Sequence, residues 1–243
     1  MIEVEDLDKT YGNGSVSTPV LKDVSFRIEE GEYVAIMGAS GTGKSTLMNI
    51  LGCLDKPTAG HYRFEGTDMV NLDDEGLSLV RNEKIGFVFQ TFHLLERTTA
   101  RQNVMLPLIY TRHYPPDATE RAEAVLGEVG LDDRIGYRPS ELSGGQQQRV
   151  AIARALITDP DVILADEPSG NLDSRSELEV LGIFKRLHSS GRTLIVVTHS
   201  PAVAEHAARI IELKDGRIAD DRPVEQPRDA EKELRETQAQ EGA

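Results

Sequence analysis

The stretch from Gly38 to Thr46 has the residue types and the spacing of a phosphate-binding loop. Its sequence, Gly-Ala-Ser-Gly-Thr-Gly-Lys-Ser-Thr, fits the pattern G-x-x-x-x-G-K-S/T, in which glycines let backbone N–H groups face phosphate oxygens. Lys44 is placed to reach the β- and γ-phosphates of a nucleotide, and the Ser45 hydroxyl to hold Mg²⁺. The stretch predicts a nucleoside triphosphate site, with a glycine-rich turn before a core helix as the alternative. The residues predicted to contact the nucleotide are Gly38, Ala39, Ser40, Gly41, Thr42, Gly43, Lys44, Ser45 and Thr46.

Two adjacent acids, Asp166 and Glu167, follow the apolar run from Val162 to Ala165. Ligands of parallel sheets bind at the carboxyl ends of the strands, and a carboxylate there orders the Mg²⁺ shell in phosphate-loop enzymes. Glu167, one residue farther on, is placed to polarise an attacking water. The alternative is an acidic turn that caps Pro168.

A third polar segment, from Leu142 to Arg149, opens the helix that leads into the acidic strand. Gly144 and Gly145 stand before that helix and predict a second N-terminus able to bind an anion. Taken alone, this segment would be a loop with a helix cap.

Strands that alternate with helices are needed to position these three segments. The pattern of short apolar runs and amphipathic stretches predicts a mostly parallel sheet covered on both faces. Ile2 to Leu7 alternates apolar and acidic residues and predicts a half-exposed edge strand. The other predicted strands span residues 20–28, 33–37, 62–64, 84–90, 161–165, 193–197, 208–213 and 217–219, and the predicted helices include 45–51, 99–106, 146–157 and 174–188.

The helical block in mid-chain predicts a subdomain of about residues 91–159, inserted in a unit that ends near Ala219. Asp117 is placed as the N-cap of one of its helices. Residues 220–243 are polar and charged, so we expect a weakly ordered tail or an exposed helix there.

The composition of the chain limits the classes of partner and the cellular compartment that we expect. The net charge of −14 argues against sequence-independent binding of nucleic acid, because that requires many basic residues. No apolar run approaches the roughly 18–20 residues that span a bilayer, and the N-terminus lacks the features of a signal peptide. Cys53 is the single cysteine and cannot form an internal disulfide. We therefore expect a cytoplasmic protein.

Taken together, the phosphate-binding loop, the segment from Leu142 to Arg149 and the acid pair resemble the motifs of ABC ATPases, in the order of that family. The resemblance covers almost the whole chain, through about Ala219. It implies an α/β fold of the P-loop NTPase (RecA-like) type, with a mostly parallel sheet core, an antiparallel β subdomain and an inserted α-helical subdomain. It also implies that the ligands are ATP and Mg²⁺.

The same resemblance gives roles to single residues. Tyr11 stands where the family stacks an aromatic ring on adenine, and Gln90 where it touches Mg²⁺ and senses the membrane subunit. His199 matches the residue that contacts the γ-phosphate. The implied catalytic residues are Glu167, His199, Lys44 and Gln90, and the implied Mg²⁺ ligands are Ser45, Gln90 and Asp166. The residues implied to meet the nucleotide of a second chain are Ser143, Gly144, Gly145, Gln146 and Asp173.

The implied assembly is a head-to-tail homodimer that sandwiches two ATP molecules and drives integral membrane permease subunits at the cytoplasmic face of the membrane. Further stretches, such as Leu51 to Gly60 and Gly86 to Leu95, are similar to the MacB, LolD and FtsE group. That group implies export, or extraction of lipid, lipoprotein, peptide or drug, by separate membrane subunits. We expect those subunits to contact the region from Gln90 to Asn103.

Three other functions compete with the transporter. An FtsE-like ATPase that controls an activity outside the cell without transport has the same catalytic motifs. A soluble ATPase of DNA repair or translation is less compatible, since no long heptad stretch lies between Gln90 and Leu142 and the chain is acidic. A kinase or a GTPase would not need the segment from Leu142 to Arg149.

Overall fold

Two β-sheets and eight α-helices make up the part of the chain that the computed structural model describes, residues 1–13 and 16–241. The strands are β1 (Ile2–Asn13), β2 (Val16–Ile28), β3 (Tyr33–Met37), β4 (Ala59–Phe64), β5 (Thr67–Asp68), β6 (Ile85–Phe89), β7 (Val162–Asp166), β8 (Thr193–Thr198), β9 (Arg209–Lys214) and β10 (Arg217–Pro223). The helices are α1 (Lys44–Leu51), α2 (Asp74–Lys84), α3 (Ala100–Met105), α4 (Ala118–Glu128), α5 (Gly144–Leu156), α6 (Ser174–Ser189), α7 (Pro201–Ala204) and α8 (Ala230–Glu241). Short 3-10 turns span Met69–Asn71, Leu106–Tyr110 and Pro139–Glu141.

The larger sheet has the order β10-β9-β3-β8-β7-β6, and its pairs are parallel except for β9 with β10. Its central strands are continuous apolar runs because both faces are covered. Tyr33 and Ala35 pack into the core beneath the helical segment, whereas Val34 and Ile36 pack into the core beneath the smaller sheet. The predicted α/β class with a mostly parallel sheet is confirmed.

The register of the parallel strands brings four strand ends to one edge. Met37 pairs with Thr198, and Asp166 pairs with Val197 on one side and Phe89 on the other. The residues that directly follow these strand ends are therefore neighbours in space, although the chain separates them by up to 160 residues.

The smaller sheet is antiparallel, in the order β2-β1-β4-β5, as expected for an antiparallel subdomain. The prediction that β1 is an edge strand is wrong, because β1 pairs with β2 on one side and with β4 on the other. Its alternation of buried Ile2, Val4 and Leu7 with more exposed acids reports one buried face. An antiparallel strand can have one solvent-exposed face whether it lies at the edge or in the middle of the sheet.

The helical segment packs on the larger sheet through α5, which contacts β6, and α3 and α4 pack against α5. Ala122 and Leu126 of α4 are fully buried there. Thr99 caps α3 through a capping box with Gln102. Asp117 does occupy the N-cap position of α4, but its carboxylate does not cap the helix and instead accepts from Arg121 Nε at 2.9 Å.

The chain beyond Ala219 forms the end of β10 and a surface helix, which corresponds to the exposed-helix alternative. Strand β10 continues to Pro223, and α8 lies along α6, where Lys185 pairs with Asp229 at 2.6 Å and Ala230 is fully buried. Arg186 Nη1 also lies 3.3 Å from Glu231 Oε1, so ion pairs connect the start of α8 to α6. Residues 242–243 of the predicted tail lie outside the described residues.

Within residues 1–13 and 16–241, none of the helices combines the length and the apolarity that crossing a bilayer requires.

Two buried tyrosines differ in the hydrogen bonding of their hydroxyl groups, and this difference predicts opposite effects of their substitution on stability. The Tyr33 hydroxyl has no hydrogen-bond partner within the described residues, and burial raises its pKa, whereas the Tyr62 hydroxyl donates to the Leu51 carbonyl at 2.7 Å. Tyr33→Phe should leave the free energy of unfolding unchanged or raise it by up to about 1 kcal/mol, and Tyr62→Phe should lower it by about 1 kcal/mol. Urea unfolding of both variants checks this, and the reverse ranking would contradict it.

Candidate nucleotide site

The phosphate-binding loop lies between β3 and α1 and wraps around its own lysine. Lys44 Nζ donates to the carbonyl of Gly38 at 2.7 Å and to that of Ala39 at 2.9 Å, and the residue is only 8% exposed. Thr42 Oγ1 donates to the same Ala39 carbonyl at 2.9 Å. The loop thus holds a buried positive charge at the amino end of a helix.

The backbone of this loop fits a triphosphate. Gly43 is the N-cap of α1 with a φ of 103°, and no side chain within the described residues caps that helix. A Cβ at Gly43 would lie 2.8 Å from Leu21 Cδ2 and 3.0 Å from the Val20 carbonyl, so only glycine fits. The first N–H groups of α1 therefore remain free to bind an anion, next to the Lys44 ammonium.

Asp166 ends β7 beside this loop. Its pKa is raised, first by burial and then by the neighbouring Glu167 carboxylate, while the Lys44 ammonium lowers it. A half-buried carboxylate beside a second one favours a bound cation, because the cation offsets the repulsion between the two negative charges. No group of three or more His, Cys, Asp or Glu side chains within residues 1–13 and 16–241 could hold a metal by itself. Ser45 and Asp166 fit Mg²⁺, which usually takes one or two carboxylates and completes its shell with water and phosphate oxygens.

Glu167 and His199 are brought together although the chain separates them by 32 residues. Glu167 Oε1 lies 2.6 Å from His199 Nδ1 and accepts from the His199 backbone N–H at 2.9 Å. Thr198 Oγ1 donates to Glu167 Oε2 at 3.1 Å. Glu167 adopts a φ of 44°, and its own N–H donates to the Val197 carbonyl at 2.8 Å. The carboxylate is therefore fixed from several sides at the end of β8.

Gln90 follows β6 at the same sheet edge, and its side-chain amide contacts Asn171. Gln90 Nε2 donates to Asn171 Oδ1 at 3.3 Å, and Asn171 Nδ2 donates back to the Gln90 carbonyl at 3.2 Å. This pair joins the segment after β6 to the turn before α6. Phe89, the residue before Gln90, pairs with Asp166, and the role of Gln90 as a Mg²⁺ ligand stays a prediction.

The segment from Ser143 to Gln146 forms the first turn of α5. Ser143 Oγ accepts from the Gln146 N–H at 3.3 Å, and the Ser143 N–H donates to Gln146 Oε1 at 2.9 Å, which makes a capping box. A Cβ at Gly145 would lie 2.6 Å from Ser176 Oγ, so glycine lets α5 approach the start of α6. Asp173 caps α6 by accepting from the Ser176 N–H, and this bond lowers its pKa. The predicted second-chain residues thus share one surface.

Tyr11 is 43% exposed at the end of β1. Its hydroxyl donates to Asp55 Oδ2 at 2.6 Å, and Lys9 Nζ lies 4.7 Å from the ring centroid. Burial and the Asp55 carboxylate raise the pKa of Tyr11, while the Thr46 hydroxyl of the phosphate-binding loop lowers it. The ring is therefore held near the loop, and its stacking on adenine stays a prediction.

Sequence reasoning missed three residues in this region: Asn171, the partner of Gln90; Asp55, which orients Tyr11; and Gln148, which is fully buried. Only Gln148 left a usable signal, since it shares a helix face with the apolar Ile152 and Ala155. Asn171 and Asp55 occupy polar turns, where their types are ordinary.

Comparison with known proteins identifies the family. The ABC transporter family model matches residues 21–170. The chain is 50% identical over 218 residues to the uncharacterized ABC transporter ATP-binding protein YvrO of Bacillus subtilis, covering 90% of this chain and 95% of that protein. It is 53% identical over 221 residues to the macrolide export ATP-binding/permease protein MacB of Syntrophobacter fumaroxidans, covering 90% of this chain. It spans about a third of the length of that relative, 31%.

Solved structures agree with this assignment. A dimeric, post-hydrolysis state of the ATP-binding cassette MJ0796 bound to ADP and Pi is 44% identical, with a TM-score of 0.85 over 93% of this chain and 100% of that one. A second dimeric structure of the same cassette gives a TM-score of 0.84. This chain belongs to the ABC transporter family.

Proposed function

We propose that this chain binds ATP with Mg²⁺ and hydrolyses it, and that two copies together drive integral membrane permease subunits. The observation that carries the proposal is the Glu167–His199 pair, held at the same sheet edge as the loop around Lys44. A phosphate cradle alone binds a nucleotide, whereas a fixed carboxylate next to a histidine adds a group that can take a proton from water.

The proposed roles follow from the contacts. Glu167 acts as general base, oriented by the Thr198 hydroxyl and the His199 N–H. Lys44 and His199 stabilise negative charge on the phosphates, so Lys44 must exchange the Gly38 and Ala39 carbonyls for phosphate oxygens. Ser45 and Asp166 hold Mg²⁺, with Gln90 joining them once its contact with Asn171 is released. Bound Mg²⁺ neutralises charge that develops on the transferred phosphoryl group.

The proposed dimer explains the second anion-binding turn. Within one chain, Ser143 and Gln146 cap each other at the N-terminus of α5. In a head-to-tail dimer, the ATP held by one chain would meet Ser143, Gly144 and Gln146 of the other. The dimeric state of the cassette with a TM-score of 0.85 supports this arrangement. Closure then excludes water and completes the set of donors on the γ-phosphate.

A groove of about 720 Å³ beside the Gln90 segment supports a permease contact. Its apolar lining includes Phe87, Phe89 and Pro107, and its charged rim includes Arg112 and Arg154. Burial lowers the pKa of Arg154, which donates to the carbonyls of the segment after Gln90. We propose that an apolar helix with acidic side chains, from a permease subunit, occupies this groove.

The groove shifts the expected contact surface. Sequence reasoning placed that surface from Gln90 to Asn103, but within that range only His93 lines the groove, which is otherwise formed by α2, β6, α5 and the 3-10 turn after α3. The MacB relative, which is named a macrolide export ATP-binding/permease protein, supports a membrane partner that exports its substrate. Phe89 connects the groove directly to Gln90.

Removal of the base tests hydrolysis. Glu167→Gln should lower the ATP turnover number by about 100-fold or more and leave the dissociation constant for ATP within a few-fold, because it removes only proton acceptance. The exposed Glu128→Gln on α4 is the control and should match the unchanged chain. If Glu167→Gln kept full turnover, Glu167 could not be the general base. If the variant lost ATP binding, the claim that Glu167 acts in hydrolysis and not in nucleotide binding would be contradicted.

Recovery of a membrane partner tests coupling. Glu167→Gln chains with ATP and Mg²⁺ should retain a membrane-spanning protein from detergent-solubilised membranes, and adding Tyr110→Ser should lower its recovery by about tenfold, as for an interface hot spot. Tyr110 lines the groove and is 71% exposed, whereas Tyr114, 55% exposed and outside the lining, provides the control Tyr114→Ser.

The outcomes of that experiment separate the candidate functions. Equal recovery with Tyr110→Ser and Tyr114→Ser would contradict the groove as the contact. Recovery of ribosomes, DNA or soluble proteins alone would keep the ATPase and discard the transporter. A groove-dependent membrane partner that moves no compound across the membrane would favour the mechanical, FtsE-like alternative.

A further inference from the structure

We infer that Gln148 is a positioning residue that ties the α5 helix to both loops that carry the proposed catalytic groups Gln90 and Glu167. This inference rests on the proposed ATP hydrolysis. Gln148 lies five residues after Ser143 on α5 and is fully buried, and its side-chain nitrogen donates to the backbone carbonyls of Phe89 and Pro168. Its role is therefore to act through the segments that it contacts.

One nitrogen makes the connection. Gln148 Nε2 donates to the Phe89 carbonyl at 3.2 Å and to the Pro168 carbonyl at 2.6 Å. Phe89 is the residue before Gln90, and Pro168 is the residue after Glu167. Both proposed catalytic side chains are thus one peptide unit away from a single side-chain amide on a third element.

The orientation of the amide follows from its surroundings. Both partners are carbonyls, so the group that faces them must donate, which places the nitrogen there and leaves Oε1 without a hydrogen-bond partner within the described residues. An apolar residue of equal length would fill the space and still leave two buried carbonyls without this donor. A glutamine that served packing alone would not need to present its nitrogen to both strand ends.

Gln148 couples the start of α5, which is proposed to meet the ATP of the second chain, to the sheet edge that carries Gln90 and Glu167. Ser143 at the start of α5 would meet the ATP of the second chain, and Gln148 lies more than one turn farther along the same rigid helix. A shift of α5 on dimer closure would therefore move the peptide units next to Gln90 and Glu167 together. Arg154 adds a separate tie from α5 to the carbonyls of Phe92 and His93, but it does not reach β7.

Three variants test the inference in the full chain. Gln148→Met keeps length and removes the donor, Gln148→Glu replaces the donating nitrogen with an oxygen, and Tyr62→Phe is the control that removes one buried hydrogen bond elsewhere. Gln148→Met should lower kcat by roughly 10- to 100-fold, with KM for ATP changed by less than about threefold. Backbone hydrogen exchange should rise together in residues 90–92 and 169–171, and in neither segment with Tyr62→Phe.

The pH profile separates positioning from stability. A buried glutamate has a raised pKa, and only its protonated form can donate to a carbonyl. The kcat of Gln148→Glu divided by that of the unchanged chain should therefore rise as the pH falls from about 8 to about 6, whereas the ratio for Tyr62→Phe should stay constant.

Two results would overturn the inference: a flat ratio for Gln148→Glu with unchanged kcat in Gln148→Met, or faster hydrogen exchange in only one of the two segments. If the unchanged chain hydrolyses no ATP, the proposed function fails. The joint change in hydrogen exchange still decides whether Gln148 holds both loops.

Discussion

The carboxyl ends of four parallel strands meet at one edge of the larger sheet, and the candidate site depends on that register. Because Met37 pairs with Thr198, and Asp166 lies between Val197 and Phe89, the phosphate-binding loop, the acids and His199 emerge side by side. None of these groups makes a site in isolation. The pairing of apolar runs such as Val34 to Ile36 and Ile163 to Ala165 fixes their relative positions, so the buried core of the sheet sets the geometry of the chemistry.

In the single chain, the proposed site residues form hydrogen bonds with one another or with nearby backbone groups. Binding of ATP and of a second chain would have to replace these hydrogen bonds. Lys44 donates to two loop carbonyls, Glu167 accepts from His199, and Ser143 and Gln146 cap each other. Each of these bonds uses a group that the proposed reaction requires elsewhere. In the proposed reaction, the cost of breaking them would link binding of the nucleotide to rearrangement. Helix α5 carries both Ser143, proposed to meet the second chain's ATP, and Gln148, which contacts the sheet edge.

The sequence predicted the parts of this picture that local patterns encode. The phosphate-binding loop and the acid pair follow apolar runs of strand length, and the resulting α/β fold class and the family are confirmed. The pairing of Glu167 with His199 requires β7 and β8 to be neighbours, which no local pattern states. The edge-strand prediction for β1 was wrong because alternating apolar and acidic residues indicate that one face of the strand is exposed to solvent, but not how many strands pair with it. Helix α8 corresponds to the exposed helix that was one of two alternatives for the tail, and ion pairs near its start, such as Lys185–Asp229, leave no apolar signal that could have decided between them.

Cross-linking between two chains tests the central claim that the site is completed head to tail. Glu167→Gln chains with Ser40→Cys are mixed with Glu167→Gln chains with Ser143→Cys and treated with a short bis-maleimide. The native Cys53 is buried, and burial raises its pKa to about 11, so it should not react. The account predicts a cross-linked dimer of the two different variants that forms only with ATP and Mg²⁺. Cross-links between like variants, or yields independent of ATP, would contradict it.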